Sequence, residues 1–219
     1  MKNILLSTTL LFALNISAQT KPVQTKVPAS KGFEGTLEFR QIKEGDTTNY
    51  IYYIKGDKVR IDNLRARTNQ SAGGFLFDLK AGTVTTLNVE RKVYSDAPKS
   101  NPAVINGKPE VTKTKNVKKI LGYNCIEYIV KNTEDNSQVS YWMAAGKFDF
   151  FDKLIKLWNR KDKVSTYYTQ LTGVAGMFPF FATQSSLDGK EELRLEVTKV
   201  EKKVVDAEKM KVPADYTRF

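Results

Sequence analysis

Acid–base chemistry in this chain falls first to carboxylates, because its 219 residues include no histidine. Asp57, Asp62, Asp78, Glu127 and Asp149 are the candidates. Two such groups alone can cleave a glycosidic bond, one protonating the leaving oxygen while the other acts as base or nucleophile. Each of the five, however, falls at a turn or on the polar phase of a strand or helix, where a solvated carboxylate is ordinary, and no pair stands out. The lack of imidazole also removes Ser-His-Asp and Cys-His arrangements and histidine zinc sites. The single cysteine, Cys125, allows neither a CxxC site nor an intramolecular disulfide, and its neighbours Tyr123, Ile126, Tyr128 and Ile129 suit a packed, inert thiol. Gly73-Gly74 precedes a strand and lacks the helix and lysine spacing of a phosphate-binding loop. The sequence thus predicts no catalytic residue, no metal site and no cofactor: not an enzyme.

The other chemistry within reach is apolar binding. Phe148, Phe151, Leu154, Ile155 and Trp158 recur at three- and four-residue steps, which predicts an amphipathic helix of about three turns. Further on, GMFPFFA sets Met177, Phe178, Phe180 and Phe181 around Pro179. A proline cannot donate a ladder hydrogen bond, so this run is expected at an edge strand or loop, pairing with ELRLEV across the Leu187–Lys190 turn. Two uses stand side by side: a packed core wall, or one lip of a cavity in which Phe148, Phe151, Trp158, Phe178, Phe180 and Phe181 contact an apolar ligand.

Strands must position these groups. Phe33, Leu37 and Phe39 alternate with Glu34, Thr36, Glu38 and Arg40, the pattern of a strand with one wet face. NYIYYI, a KGD turn and KVRID read as a hairpin, and FLFDL, TVTTLNV and KVYS as an antiparallel meander. The Pro, Asn and Gly content of Ala97 to Pro109 marks a crossing loop. Strand patterns resume through VTKTKNVKKI, GYNCIEYIVKN and SQVSYWMAA, and VSTYYTQL leaves room for a second short helix. In the last strand Leu193, Leu195 and Val197 hold one phase while Val200 and Val204 take the other, so a β-bulge is expected near Thr198 and Lys199. About ten or eleven strands with one clear helix make a sheet large enough to curl.

The chain opens MKNILLSTTLLFALNISAQT: a basic start, a short apolar run and a small-residue exit, the pattern of a secretory signal peptide over 1–18. No cysteine stands near the exit to accept a lipid. Residues 19–31 read as a flexible leader, and 32–219 as a single β-rich domain. The expected location is periplasmic or secreted, the expected state a monomer. A net charge of +11 suits either plain solubility or an anionic membrane surface; an exported protein meets lipid head groups and polysaccharide before nucleic acid. The Lys113, Lys115, Lys118 and Lys119 cluster reads as a solvated strand face.

Three marks together, the run Lys119 to Cys125, Trp142 on the following strand, and Val212 to Tyr216 near the end, resemble a secreted Gram-negative bacterial family described as a domain of unknown function. That family in turn resembles the lipoprotein-carrier fold of the LolA and LolB type. The resemblance implies a half-open, strongly curved antiparallel β-barrel around an apolar cavity, with helices as a lid. The carrier's Arg-Pro latch is replaced here by Lys55-Gly56-Asp57, so no latch residue carries over. The function expected is an exported binding protein for a lipid, acyl chain or lipidated peptide; the alternative is an envelope interaction module with a packed interior.

Overall fold

The computed structural model describes residues 32–65, 67–98 and 101–219; the expected signal peptide and leader lie outside them. Six strands come first: β1 (Gly35–Lys43), β2 (Asp46–Lys55), β3 (Lys58–Leu64), β4 (Ser71–Asp78), β5 (Thr83–Asn88) and β6 (Val93–Asp96). After the crossing loop follow β7 (Glu110–Ile120), β8 (Tyr123–Asn132) and β9 (Ser137–Ala145), then helices α1 (Phe150–Trp158) and α2 (Lys163–Tyr168). The chain ends with β10 (Met177–Ser186), β11 (Glu191–Lys202), a single 3₁₀ turn at Ala207–Met210, and the two-residue β12 (Thr217–Arg218).

All twelve strands of the described residues belong to one open sheet of order β12-β6-β5-β4-β3-β2-β1-β11-β10-β9-β8-β7. Pairing is antiparallel except between β12 and β6. The count exceeds the expected ten or eleven, and β12 is the strand too short to leave a period in the sequence. The run Val212 to Tyr216 leads into it: Lys92 pairs with Asp215 at 2.9 Å, and the Thr217 N–H donates to the Lys92 carbonyl.

Turn chemistry fixes the hairpins. Leu121 and Gly122, between β7 and β8, both have positive φ (49° and 85°), the signature of the two-residue turn whose twist matches the flanking strands. This gives the run Lys119 to Cys125 a physical meaning, since its leucine–glycine step sets the register of β8. The expected bulge is present too: Glu38 faces Lys199, but Phe39 faces Val197, so Thr198 is the extra residue.

The curl of the sheet can be measured by α1. At one end of this helix the Phe151 ring lies 4.5 Å from Phe178 on β10; at the other, Trp158 lies 5.6 Å from Phe75 and 5.3 Å from Phe77 on β4. Strands β10 and β4 are five steps apart in the sheet, about 24 Å if it were flat, whereas the helix rises only about 10 Å between the two residues. The sheet therefore wraps around the helix, giving the half-open barrel with a helical lid that the resemblance implied.

One polar phase is not wet as expected. Arg60 and Asp62 on β3 are buried, with Nε to Oδ1 at 2.8 Å. The 3₁₀ turn lies over β2 and β3, buries Met210, and accepts from Arg60 through the Lys209 carbonyl at 3.4 Å. Asp62 is thus a structural ion-pair partner rather than a solvated carboxylate, because a segment far along the chain covers that face.

Candidate functional site

The lid is built from two short helices and the joint between them. Phe150, Phe151, Leu154 and Ile155 of α1 turn inward, while Asp152 and Lys156 pair on its outer side at 3.2 Å. Asn159 ends α1 in the left-handed conformation (φ 50°), its N–H donating to the Ile155 carbonyl. Three residues on, Asp162 caps α2 by accepting from the Ser165 N–H at 3.0 Å and the Ser165 hydroxyl at 3.1 Å. Tyrosines fasten the lid: the Tyr141 hydroxyl on β9 donates to the Val164 carbonyl at 2.6 Å, and Tyr168 donates to Asp152 at 3.3 Å. On the outside, Lys153 reaches Asp57 in the β2–β3 turn at 3.0 Å.

Between lid and sheet lies a cavity of about 60 Å³. Its walls include Phe39, Tyr50 and Tyr52 from β1 and β2, Leu193, Leu195 and Val197 from β11, Phe178 from β10, and Phe151, Ile155, Trp158, Val164 and Tyr168 from the lid. That volume is room for about two water molecules, well under the roughly 300 Å³ where small-ligand pockets begin. Burial pushes the Tyr52, Tyr141 and Tyr168 hydroxyls above the ordinary tyrosine range.

Polar side chains interrupt the apolar wall at Gln41 and Glu196 on the sheet and at Arg160, Asp162 and Ser165 in the lid. Arg160 donates through Nε to Asp162 and lies 4.8 Å over the Trp158 ring. Burial works against its charge, but the Asp162 charge and hydrogen bond outweigh that, and the guanidinium pKa is raised.

The six aromatic residues expected to contact a ligand divide into three groups. Phe151, Phe178 and Trp158 line the cavity. Phe148 and Phe180 are buried beside it, with Phe148 5.6 Å from Phe178 and 5.8 Å from Phe180, and Phe180 4.7 Å from Tyr123. Phe181 faces the other way, under Lys118 at 4.3 Å, and Lys118 also lies 4.2 Å over Trp142. Alternation along the strand turns Phe181 away from Phe180, and β10 runs beside β9 along its whole length but meets β11 only from Phe181 onward. Pro179 thus sits where the strand has one neighbour, the edge-like setting that the proline implied, and a register shift at Phe180 separates the two phases.

Sequence reasoning missed Tyr52, Tyr141, Tyr168, Arg160 and Asp162. NYIYYI, SQVSYWMAA and VSTYYTQL displayed the tyrosines, but nothing local tells which phase of a strand faces the cavity. The candidate carboxylates do not converge on the cavity. Asp57 holds Lys153; Asp78 caps its turn by accepting from the Ala81 and Lys80 N–H groups; Glu127 accepts from Thr114, Asn116 and Ser140; Asp149 is exposed ahead of α1. Among the described residues no three His, Cys, Asp or Glu side chains are grouped closely enough to hold a metal ion, and no helix is long and apolar enough to cross a membrane.

Residues 33–216 match the model of the family described as domain of unknown function DUF4412. No curated protein matches the chain in sequence. Among solved structures, an uncharacterized conserved protein from Thermus thermophilus is similar at 8% identity, with 84% of this chain and 88% of that one covered and a TM-score of 0.52. MucB is similar at 11% identity over 85% of this chain and 58% of its own, with a TM-score of 0.45. A putative outer membrane lipoprotein-sorting protein domain from Vibrio parahaemolyticus is similar at 7% identity over 80% of this chain and 87% of its own, with a TM-score of 0.29. The first of these, at a TM-score of 0.52, shows a shared path of the chain and nothing of function.

Proposed function

The chain belongs to the DUF4412 family, and we propose that it is an exported, non-enzymatic binding protein that holds an apolar ligand, a lipid, acyl chain or lipidated peptide, between its lid and the concave face of its sheet. The proposal includes removal of 1–18 as a signal peptide, a leader over 19–31, one domain over 32–219, and a monomer in the periplasm or outside the cell. The observation that carries it is the aromatic-walled cavity under α1 and α2. Each buried Å² of apolar ligand surface would contribute about 25 cal/mol before ordering costs. At about 60 Å³ the cavity is the closed form, and a ligand enters by displacing the lid, taking the place of Phe151 and Trp158 against the sheet.

The same small volume favours a second reading, an envelope interaction module whose interior is simply packed. Native mass spectrometry of the protein purified from its own compartment, with titration of an environment-sensitive fatty-acid probe, separates them. The binding reading expects a co-purifying lipid or saturable probe binding that unlabelled fatty acid displaces. A protein that is repeatedly empty and ignores the probe is a packed module.

A further inference from the structure

We propose that the ligand is an anionic amphiphile, an acyl chain with a carboxylate or phosphate head group, and that Arg160 receives the head group; this rests on the binding role proposed above. Among the described residues Arg160 is the one basic side chain lining the cavity. A guanidinium carries five N–H donors, and Arg160 uses only Nε, on Asp162; among the described residues its two Nη groups have no acceptor. The two carboxylates that share the cavity wall are already engaged, Asp162 on Ser165 and Glu196 on Arg40 at 3.0 Å. The guanidinium plane is held in advance, stacked on Trp158 and tied to a residue that caps α2. A fixed planar fork with its outer edge open is the geometry that grips a carboxylate or phosphate through two parallel bonds.

Position adds a second, independent argument. Arg160, Ile155 and Ser165 line both the inner cavity and an outer hollow of about 350 Å³ between the lid and residues 102–105. Arg160 therefore stands at the boundary between an aromatic interior and a solvent-facing recess. An amphiphile has the same division, its chain suited to the inside and its head to the outside.

The test uses dodecanoate, monododecyl phosphate and dodecanol, below their aggregation concentrations and at neutral pH, on protein carrying W142F so that Trp158 is the sole tryptophan reporter. Both anions are expected to bind at least about tenfold more tightly than dodecanol, the margin of a charged hydrogen bond, and their ratio shows which oxyanion is preferred. R160Q should bring the three affinities together. R160K keeps the charge but loses the planar fork, so it should retain only part of the margin; a merely structural Arg160 would leave the margin untouched. If R160Q does not fold, as judged by circular dichroism, the wild-type margin and R160K decide. Equal binding of all three probes to wild type, or a margin that survives R160Q, overturns the head-group assignment and leaves the apolar binding role standing. Failure of all three probes to bind overturns both.

Discussion

Phe180 and Phe181 are adjacent in sequence, and the fold assigns them opposite roles that a melting experiment can separate. Phe180 has no exposed surface and touches Tyr123, Phe148 and Phe178, with ring centroids at 4.7, 5.8 and 6.2 Å. Truncating such a ring to alanine costs about 3–5 kcal/mol. For a domain of this size each kcal/mol lowers the unfolding midpoint by about 2–4 °C, so F180A should melt roughly 6–20 °C below wild type. Phe181 is half-buried on the outer face, beneath Lys118 and 5.9 Å from the Arg194 guanidinium. Its cation–π contacts are worth about 0.5–1 kcal/mol each, so F181A should cost about 1–2 kcal/mol, a loss of roughly 2–8 °C. Calorimetric melts of the two variants, with F180L expected to recover part of the loss, provide the comparison. Equal losses, or a larger loss for F181A, would refute the division of faces on which the candidate site rests.

Removing the Asp62 carboxylate with D62A leaves Arg60 buried without its partner and should cost about 3–5 kcal/mol in denaturant unfolding, whereas R60M/D62L should regain most of it; equal stability of D62A and wild type would contradict the buried pair. A Cβ at Gly74 would stand 2.1 Å from the Ile61 carbonyl oxygen, so G74A should force β4 away from β3 and sharply lower the melting temperature, and an unshifted melt would refute that contact. Cys125 has no exposed surface and burial pushes its thiol pKa up; alkylation should therefore wait for denaturant, and fast labelling of the folded protein would contradict this. Hydrogen bonds from Lys199 and Lys203 hold the Glu201 carboxyl at about 2, below its ordinary 4.5. A depressed acid adds stability that is complete above its unfolded value and lost as pH falls through the folded one. The stability difference between wild type and E201Q should accordingly shrink from about pH 4.5 down to about pH 2, and an NMR midpoint for Glu201 near 4.5 would sink the assignment.

Local periodicity carried most of the architecture. The alternation in GTLEFR, the KGD turn and the Phe148-to-Trp158 spacing each specify an element through neighbours a few residues away, and even the bulge at Thr198 was legible as a phase slip. What stayed hidden depends on distant chain. The burial of Asp62 needs the 3₁₀ turn at Ala207–Met210. The free side of Pro179 depends on where β11 begins to pair with β10. Nothing local sets Arg160 in WNRKD apart from other basic residues, because its meaning comes from Asp162 capping a second helix and from a cavity wall contributed by β1, β2, β10 and β11.

The strand order has a kinetic consequence. Strands β1 to β6 neighbour one another in chain order, and so do β7 to β11; the two-residue β12 returns to β6, and the two long halves of the sheet join where β1 meets β11. There the Thr198 hydroxyl donates to the Glu38 carbonyl, 160 residues away. Each half can zip through hairpins whose loop-closure cost is small, while the chain entropy of the long closure falls on one event. Until that event β1 offers a bare edge carrying Leu37, Phe39 and Ile42, the kind of template on which chains pair wrongly with each other. A nascent or refolding molecule is thus most open to aggregation after its first half has formed and before β11 arrives, and the slow phase of refolding should report the seam rather than the lid.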